Sequence, residues 1–112
     1  MGINDSNATN ALDESIVADI LTTNTGIQGA LTVGTSAVLA AVGVGNLANR
    51  KVLSIFHNGT GNLFWGYTNG VTIATGIQIF RNTMVTFNVS MNTNIYLVAS
   101  AAGQNVRVSE GA

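Results

Sequence analysis

Few residues in this chain could do chemistry, and their spacing matters more than their number. There is one histidine, His57, and there is no cysteine. A thiolate metal site and a disulfide scaffold are therefore excluded, and a histidine-based metal triad would need several subunits around an axis. A Ser-His-Asp set would have to join His57 to Glu110 or to an acid near the N-terminus, and nothing in the spacing supports it. The plain reading of His57 is a strand-end residue bonded to nearby backbone. Paired carboxylates for glycoside hydrolysis fare no better. Asp13 and Glu14 are adjacent and project differently, and beyond residue 19 the only acid is Glu110. The reading is a non-enzymatic protein with no catalytic residues, no cofactor and no metal.

The glycine clusters Gly43-Val-Gly45 and Gly59-Thr-Gly61 resemble pieces of phosphate-binding loops. Neither completes a GxGxxG or GxxxxGK pattern, and neither leads into a helix, so both read as turns. Asp5-Ser-Asn-Ala-Thr-Asn10 lacks the glycine and terminal glutamate of a calcium loop. Four basic residues in 112 make a weak footprint for nucleic acid, so none is expected as a partner. The aromatic residues are more suggestive. Trp65 and Tyr67 lie two apart and share a face of a predicted strand, as a sugar-stacking platform would require. They are also the kind of residues found in a core or a subunit interface.

The elements that must position these residues are short strands. Runs near 31–34, 37–42, 51–57, 62–67, 71–74, 77–80, 84–89, 94–99 and 105–109 are rich in β-branched and aromatic residues and are separated by Gly and Asn. Val52 to His57, the Asn58–Asn62 turn and Leu63 to Tyr67 read as a hairpin, with Asn69-Gly70 marking the next turn. Leu63, Trp65 and Tyr67 fall on one face of the returning strand. Val85, Phe87 and Val89 fall on one face of a later strand, with Met84, Thr86 and Asn88 on the other. Such alternation means one buried face and one outward face. The 13 glycines, several beside Asn, suit turns with positive φ. The fold class is all-β, an antiparallel β-sandwich of jelly-roll type.

Residues 1–30 read differently, as an extended or partly helical N-terminal arm before a sandwich at 31–112. Leu12, Ile16 and Ile20 recur at a spacing of four, with Asn10 placed to cap a short helix. So short a helix would need a surface to dock on, and these three residues are the expected anchors to that surface or to a neighbouring subunit.

Composition adds the strongest constraint. Charged residues make up 8% of the chain, against roughly 25% in an average soluble domain. A monomer ordinarily keeps itself soluble with charge. Asp5, Asp13, Glu14 and Asp19 give the arm −4, while Arg50, Lys51, Arg81 and Arg107 against Glu110 leave the remainder at +3. An arm of one copy is thus complementary in sign to the body of another. Proline is absent, so no edge strand is blunted by it. No charged segment precedes an apolar run of signal-peptide form, and Ala37 to Val44 is too short to span a membrane. Synthesis in a reducing cytoplasm is expected, with no membrane partner, and the glycosylation patterns at Asn58 and Asn88 then carry no weight.

Several runs together resemble a recurring phage virion module. They are Leu31-Thr-Val-Gly-Thr-Ser-Ala-Val38, Leu47-Ala-Asn-Arg-Lys51 and Val52-Leu-Ser-Ile-Phe-His-Asn-Gly59. There follow Leu63-Phe-Trp-Gly66, Val71-Thr72, Thr75-Gly-Ile-Gln-Ile79, Ile95-Tyr-Leu-Val-Ala99 and Val106-Arg-Val-Ser-Glu110. The resemblance covers residues 31–112 and rests on order and spacing, with a departure at Gln78, where the related pattern often has proline. It implies a non-enzymatic β-sandwich that decorates or cements a phage head at the capsid surface of the virion, or serves in a fibre. Its implied partners are the major capsid protein and further copies of itself, as a homotrimer. The alternative is a fibre or tail module that binds a host receptor or glycan, for which Trp65 and Tyr67 are the contact residues.

Overall fold

The computed structural model describes residues 23–112, and every regular element among them is a strand. The eight strands are β1 (Gly26–Val33), β2 (Val38–Leu39), β3 (Val52–His57), β4 (Leu63–Gly66), β5 (Ile77–Ile79), β6 (Met84–Phe87), β7 (Tyr96–Ala99) and β8 (Gln104–Gly111). They form two four-stranded sheets, in the orders β1-β8-β3-β6 and β2-β7-β4-β5. Every ladder is antiparallel. Consecutive strands change sheet at every step except β4 to β5, which pair as neighbours, and this is the jelly-roll arrangement of two interleaved Greek keys.

The pleat explains why these sequences fold this way. In β3, Leu53, Ile55 and His57 are buried while Val52, Ser54 and Phe56 are not. In β8, Gln104, Val106, Val108 and Glu110 are buried in alternation with outward Asn105, Arg107 and Ser109. The opposing sheet contributes Leu63, Ile79, Leu97 and Ala99, and the two inner faces meet in one core. Val85, Phe87 and Val89 pack on that core together, on the shared face their alternation predicts.

The expected hairpin of β3 and β4 does not form. β3 pairs with β8 and β6, whereas β4 pairs with β7 and β5 in the other sheet. The Asn58–Asn62 segment therefore crosses from one layer to the other. Alternation and turn residues specify strand, turn, strand, but they do not say whether the two strands share a ladder. The run at 71–74 is a turn: the Thr72 carbonyl accepts from the Thr75 and Gly76 amides at 3.2 and 2.8 Å. Thr72 and Thr75 also bond to one another and to the local backbone, the usual competition of threonine with a ladder. β1 begins at Gly26, ahead of the strand expected at 31. Its first residues pair with Gly111 and Glu110, a non-local register that composition does not disclose. Positive φ falls mostly to asparagine: Asn49 (58°) and Asn82 (60°) adopt it, with Gly103 (69°) the one glycine among the described residues.

Leu53 is fully buried at the centre of this core. Leu53→Ala should cost about 3 kcal/mol in urea unfolding and lower the thermal midpoint by more than about 10 °C. A loss below about 1 kcal/mol would contradict the packing described.

Candidate functional site

The residues that could have carried chemistry are drawn into the two ends of the sandwich. The period of β3 points His57 inward, and its side chain is fully buried. Nδ1 accepts from the Gly59 amide at 3.2 Å and Nε2 donates to the Gly61 carbonyl at 2.7 Å. Those two bonds are satisfied together by the neutral ring protonated at Nε2, and neither nitrogen is left to serve as a base. Gln104 completes this end. Its Oε1 accepts from the Thr60 and Gly61 amides at 2.9 and 2.6 Å, while Nε2 donates to the Ala102 carbonyl at 3.1 Å. The Gly59-Thr-Gly61 segment is thus a turn wrapped around a glutamine, where a Cβ at Gly59 would collide with Gln104 Oε1 and one at Gly61 would press on Gln104 Cδ at 3.1 Å. Gly43 and Gly45 lie open, with no neighbour against them.

At the opposite end of β8, Glu110 points inward in phase with Val106 and Val108. Its Oε1 accepts from Arg50 Nη1 at 2.9 Å and both side chains are fully buried. The same carboxylate accepts from the Val42 and Leu47 amides at 3.1 and 3.2 Å. Arg50 donates onward to Asn46 Oδ1 at 3.0 Å, and to the Ser90 and Thr93 carbonyls at 2.9 and 2.6 Å. One ion pair therefore ties β8 to the 42–50 and 90–93 loops. Arg50 Nε is the buried side-chain atom left without a partner among the described residues. Sequence reasoning did not foresee this pair. The signal was present, since a carboxylate in the buried phase of an alternating strand requires a cation.

Two surfaces remain accessible. A cleft of about 270 Å³ lies where β4 and β5 run into the 67–76 loop, and Trp65, Tyr67, Thr68, Gly70, Thr75 and Ile77 are among its walls. Trp65 stands in a row across the inner face, opposite Leu97 on one side and Ile77 on the other. Its ring meets Phe87 edge to face at 4.7 Å and Tyr67 at 5.2 Å with planes at 88°. Tyr67 is 62% exposed. The second surface is the outward face of the β1-β8-β3-β6 sheet. Register places Ala30, Arg107, Phe56 and Met84 in one row, and Gln28, Ser109, Ser54 and Thr86 in the next. A groove of about 330 Å³ runs along these rows. Leu12, Ile16 and Ile20, with Asp5, Asp13 and Glu14, lie outside the described residues. Within the described residues, no three His, Cys, Asp or Glu side chains gather as a metal site would require.

No protein-family model matches the chain, and no curated protein matches it in sequence. Among solved structures it is similar to a chain of the Bacillus endospore appendages, which are disulfide-linked pili. The TM-score is 0.47 at 12% identity, over 78% of this chain and 84% of that one. It is also similar to the IMPa metallopeptidase of Pseudomonas aeruginosa, with a TM-score of 0.42 at 20% identity; 82% of this chain is covered, yet it spans only 13% of that one. The Tobacco streak virus coat protein follows, with a TM-score of 0.26 at 6% identity, over 82% of this chain and 79% of that one. Likenesses this distant assign neither partner nor activity.

Removing one member of the ion pair should be costly. Arg50→Ala or Glu110→Ala should each lose about 3–5 kcal/mol in chemical denaturation, because an unpaired charge stays buried. The double variant Arg50→Ala/Glu110→Ala should lose at least about 1 kcal/mol less than the two single substitutions summed. Strict additivity would mean that the two groups do not act as a unit.

Proposed function

We propose that this chain is a non-enzymatic structural protein of a phage virion, a decoration or cement subunit that binds the head shell. The supporting observation is the surface charge. Residues 23–112 contain five charged side chains, and two of them, Arg50 and Glu110, neutralise each other in the interior. Lys51 is half-buried, which leaves Arg81 and Arg107 as the exposed charges of the described body. Against these stand Val44, Phe80, Met84, Tyr67, Ile77 and Ile73, each more than half exposed. A surface so apolar and so weakly charged suits burial against other subunits better than free diffusion.

The face that suits a protein partner best is the outward side of the β1-β8-β3-β6 sheet. Phe56 and Met84 lie side by side there, Arg107 adds one cation beside them, and Ser54 bonds Thr86 across the strands at 3.0 Å. An apolar centre with a thin polar rim is the composition of a subunit contact. In this reading that face meets the major capsid protein, copies gather as a homotrimer, and residues 1–22 reach a neighbour or the shell. The four acids of that segment complement the cationic body. A non-catalytic role is supported by His57 and Glu110, whose hydrogen-bonding groups are spent on the fold.

The test is reconstitution on cognate heads assembled without the protein. The full chain should co-sediment with the shells and raise their heat resistance. A variant lacking residues 1–22 keeps β1 whole, and it should fold yet bind at least about tenfold more weakly. Phe56→Asp/Met84→Asp should fold and fail to bind. Full binding by both variants would reject the proposed contacts, and failure of the full chain to bind any shell would reject the role.

A further inference from the structure

The cleft at Trp65 and Tyr67 is not used by the structural role, and its chemistry is specific. We propose that it is a binding site for a neutral saccharide, taking one pyranose ring against the exposed face of Tyr67. None of the residues lining the cleft carries a charge, so a phosphorylated, sulfated or carboxylated ligand would have no counter-ion there. The Tyr67 ring is held at right angles to Trp65, so the two rings make a fixed corner. The indole is itself held by Phe87. A platform set in advance loses little freedom when a ligand arrives. Pyranose rings match such a corner, because their C–H faces are apolar and stack on aromatic rings while their hydroxyls bond at the rim.

Hydrogen-bonding groups stand beside the aromatic plane. The hydroxyls of Tyr67 and Thr68 have no partner among the described residues, and each can both donate and accept, as a sugar hydroxyl requires. Thr75 is already engaged, accepting from the Thr72 amide at 3.0 Å, and so acts as wall. The floor is made by close approach. A Cβ on Gly66 would fall 2.6 Å from Val71 Cγ2, and one on Gly76 would fall 2.7 Å from Phe64 Cβ. Glycine at these two positions lets the 67–76 loop fold tightly over β4, and that fold creates the concavity. A flat self-association patch would need neither the concavity nor the free hydroxyls.

The chain has a single tryptophan, so its emission reports on this cleft alone. The full chain would be titrated with glucose, galactose, mannose, N-acetylglucosamine and their β-linked disaccharides. Amide chemical shifts would be followed in parallel. At least one sugar should change Trp65 emission saturably, at about millimolar affinity, with shifts confined to residues 65–77. Tyr67→Ala should weaken binding about tenfold and Thr68→Val about threefold, both without altering the far-ultraviolet circular dichroism. Thr68→Val retains both rings, so it remains informative should Tyr67→Ala unfold the loop. Two outcomes would overturn the proposal. One is the absence of any saturable change with every sugar up to tens of millimolar. The other is an emission change that follows protein concentration and not sugar, which would make the cleft a contact between copies.

Discussion

The interaction on which the most depends is the buried pair of Arg50 and Glu110. A carboxylate enclosed in a sandwich is costly unless a cation and hydrogen bonds replace the water it loses. Glu110 obtains both. The guanidinium faces one oxygen, and the Val42 and Leu47 amides complete the shell. The arrangement is organisational as much as energetic. The 42–50 and 90–93 segments contain no regular ladder, and each has backbone groups that need partners. Arg50 and Glu110 supply partners to both at once, from the end of a strand that belongs to the core. His57 and Gln104 do the corresponding work at the other end, satisfying the turn that carries the chain from one sheet to the other. The sandwich is therefore apolar in its middle and closed at each end by buried polar groups.

That division explains which parts of the structure are legible in the sequence. Strands are legible because a buried face imposes period two, as at Leu53-Ser-Ile-Phe-His57 and at Val85, Phe87 and Val89. The type of fold follows from many such runs at close spacing. Pairing is not legible, because alternation carries no information about which strand lies alongside. β3 and β4 look like a hairpin for that reason, yet they stand in opposite layers. The 71–74 run fails for a different reason. Its Val-Thr-Ile-Ala composition suits a strand, but two threonine hydroxyls bond the local backbone and close a turn before a ladder can form.

The residues of chemical interest divide in the same way. Trp65 and Tyr67 are adjacent by alternation alone, and the rings do meet. The cleft beside them is not written in any run of residues. It arises because Gly66 and Gly76 permit close contacts between segments, which spacing cannot display. The roles of His57 and Glu110 were half visible. Each falls in phase with buried valines, leucines or isoleucines, which argues for enclosure, but the partners lie 60 residues away for Glu110 and at the far side of a turn for His57. Enclosure is a local property of a strand; a partner is a property of the whole topology.

The scarcity of charge is the link between fold and role. With the pair at one end neutralised internally, almost no ionic group remains on the described body to oppose contact with another protein. Under the proposed role, the sandwich would gain from placing Phe56 and Met84 against a partner, because their apolar surface would leave water and few charges need be desolvated to do so. Specificity must then come from shape and from the few polar groups at the rim, such as Arg107, Ser54 and Thr86, and not from long-range attraction. Attraction of opposite signs is instead concentrated in the first 19 residues, where all four N-terminal acids lie. Under the proposed role, a subunit with a weakly cationic body and an acidic terminal segment would separate two tasks: the segment would draw it toward cationic neighbours, and the apolar face would hold it once there.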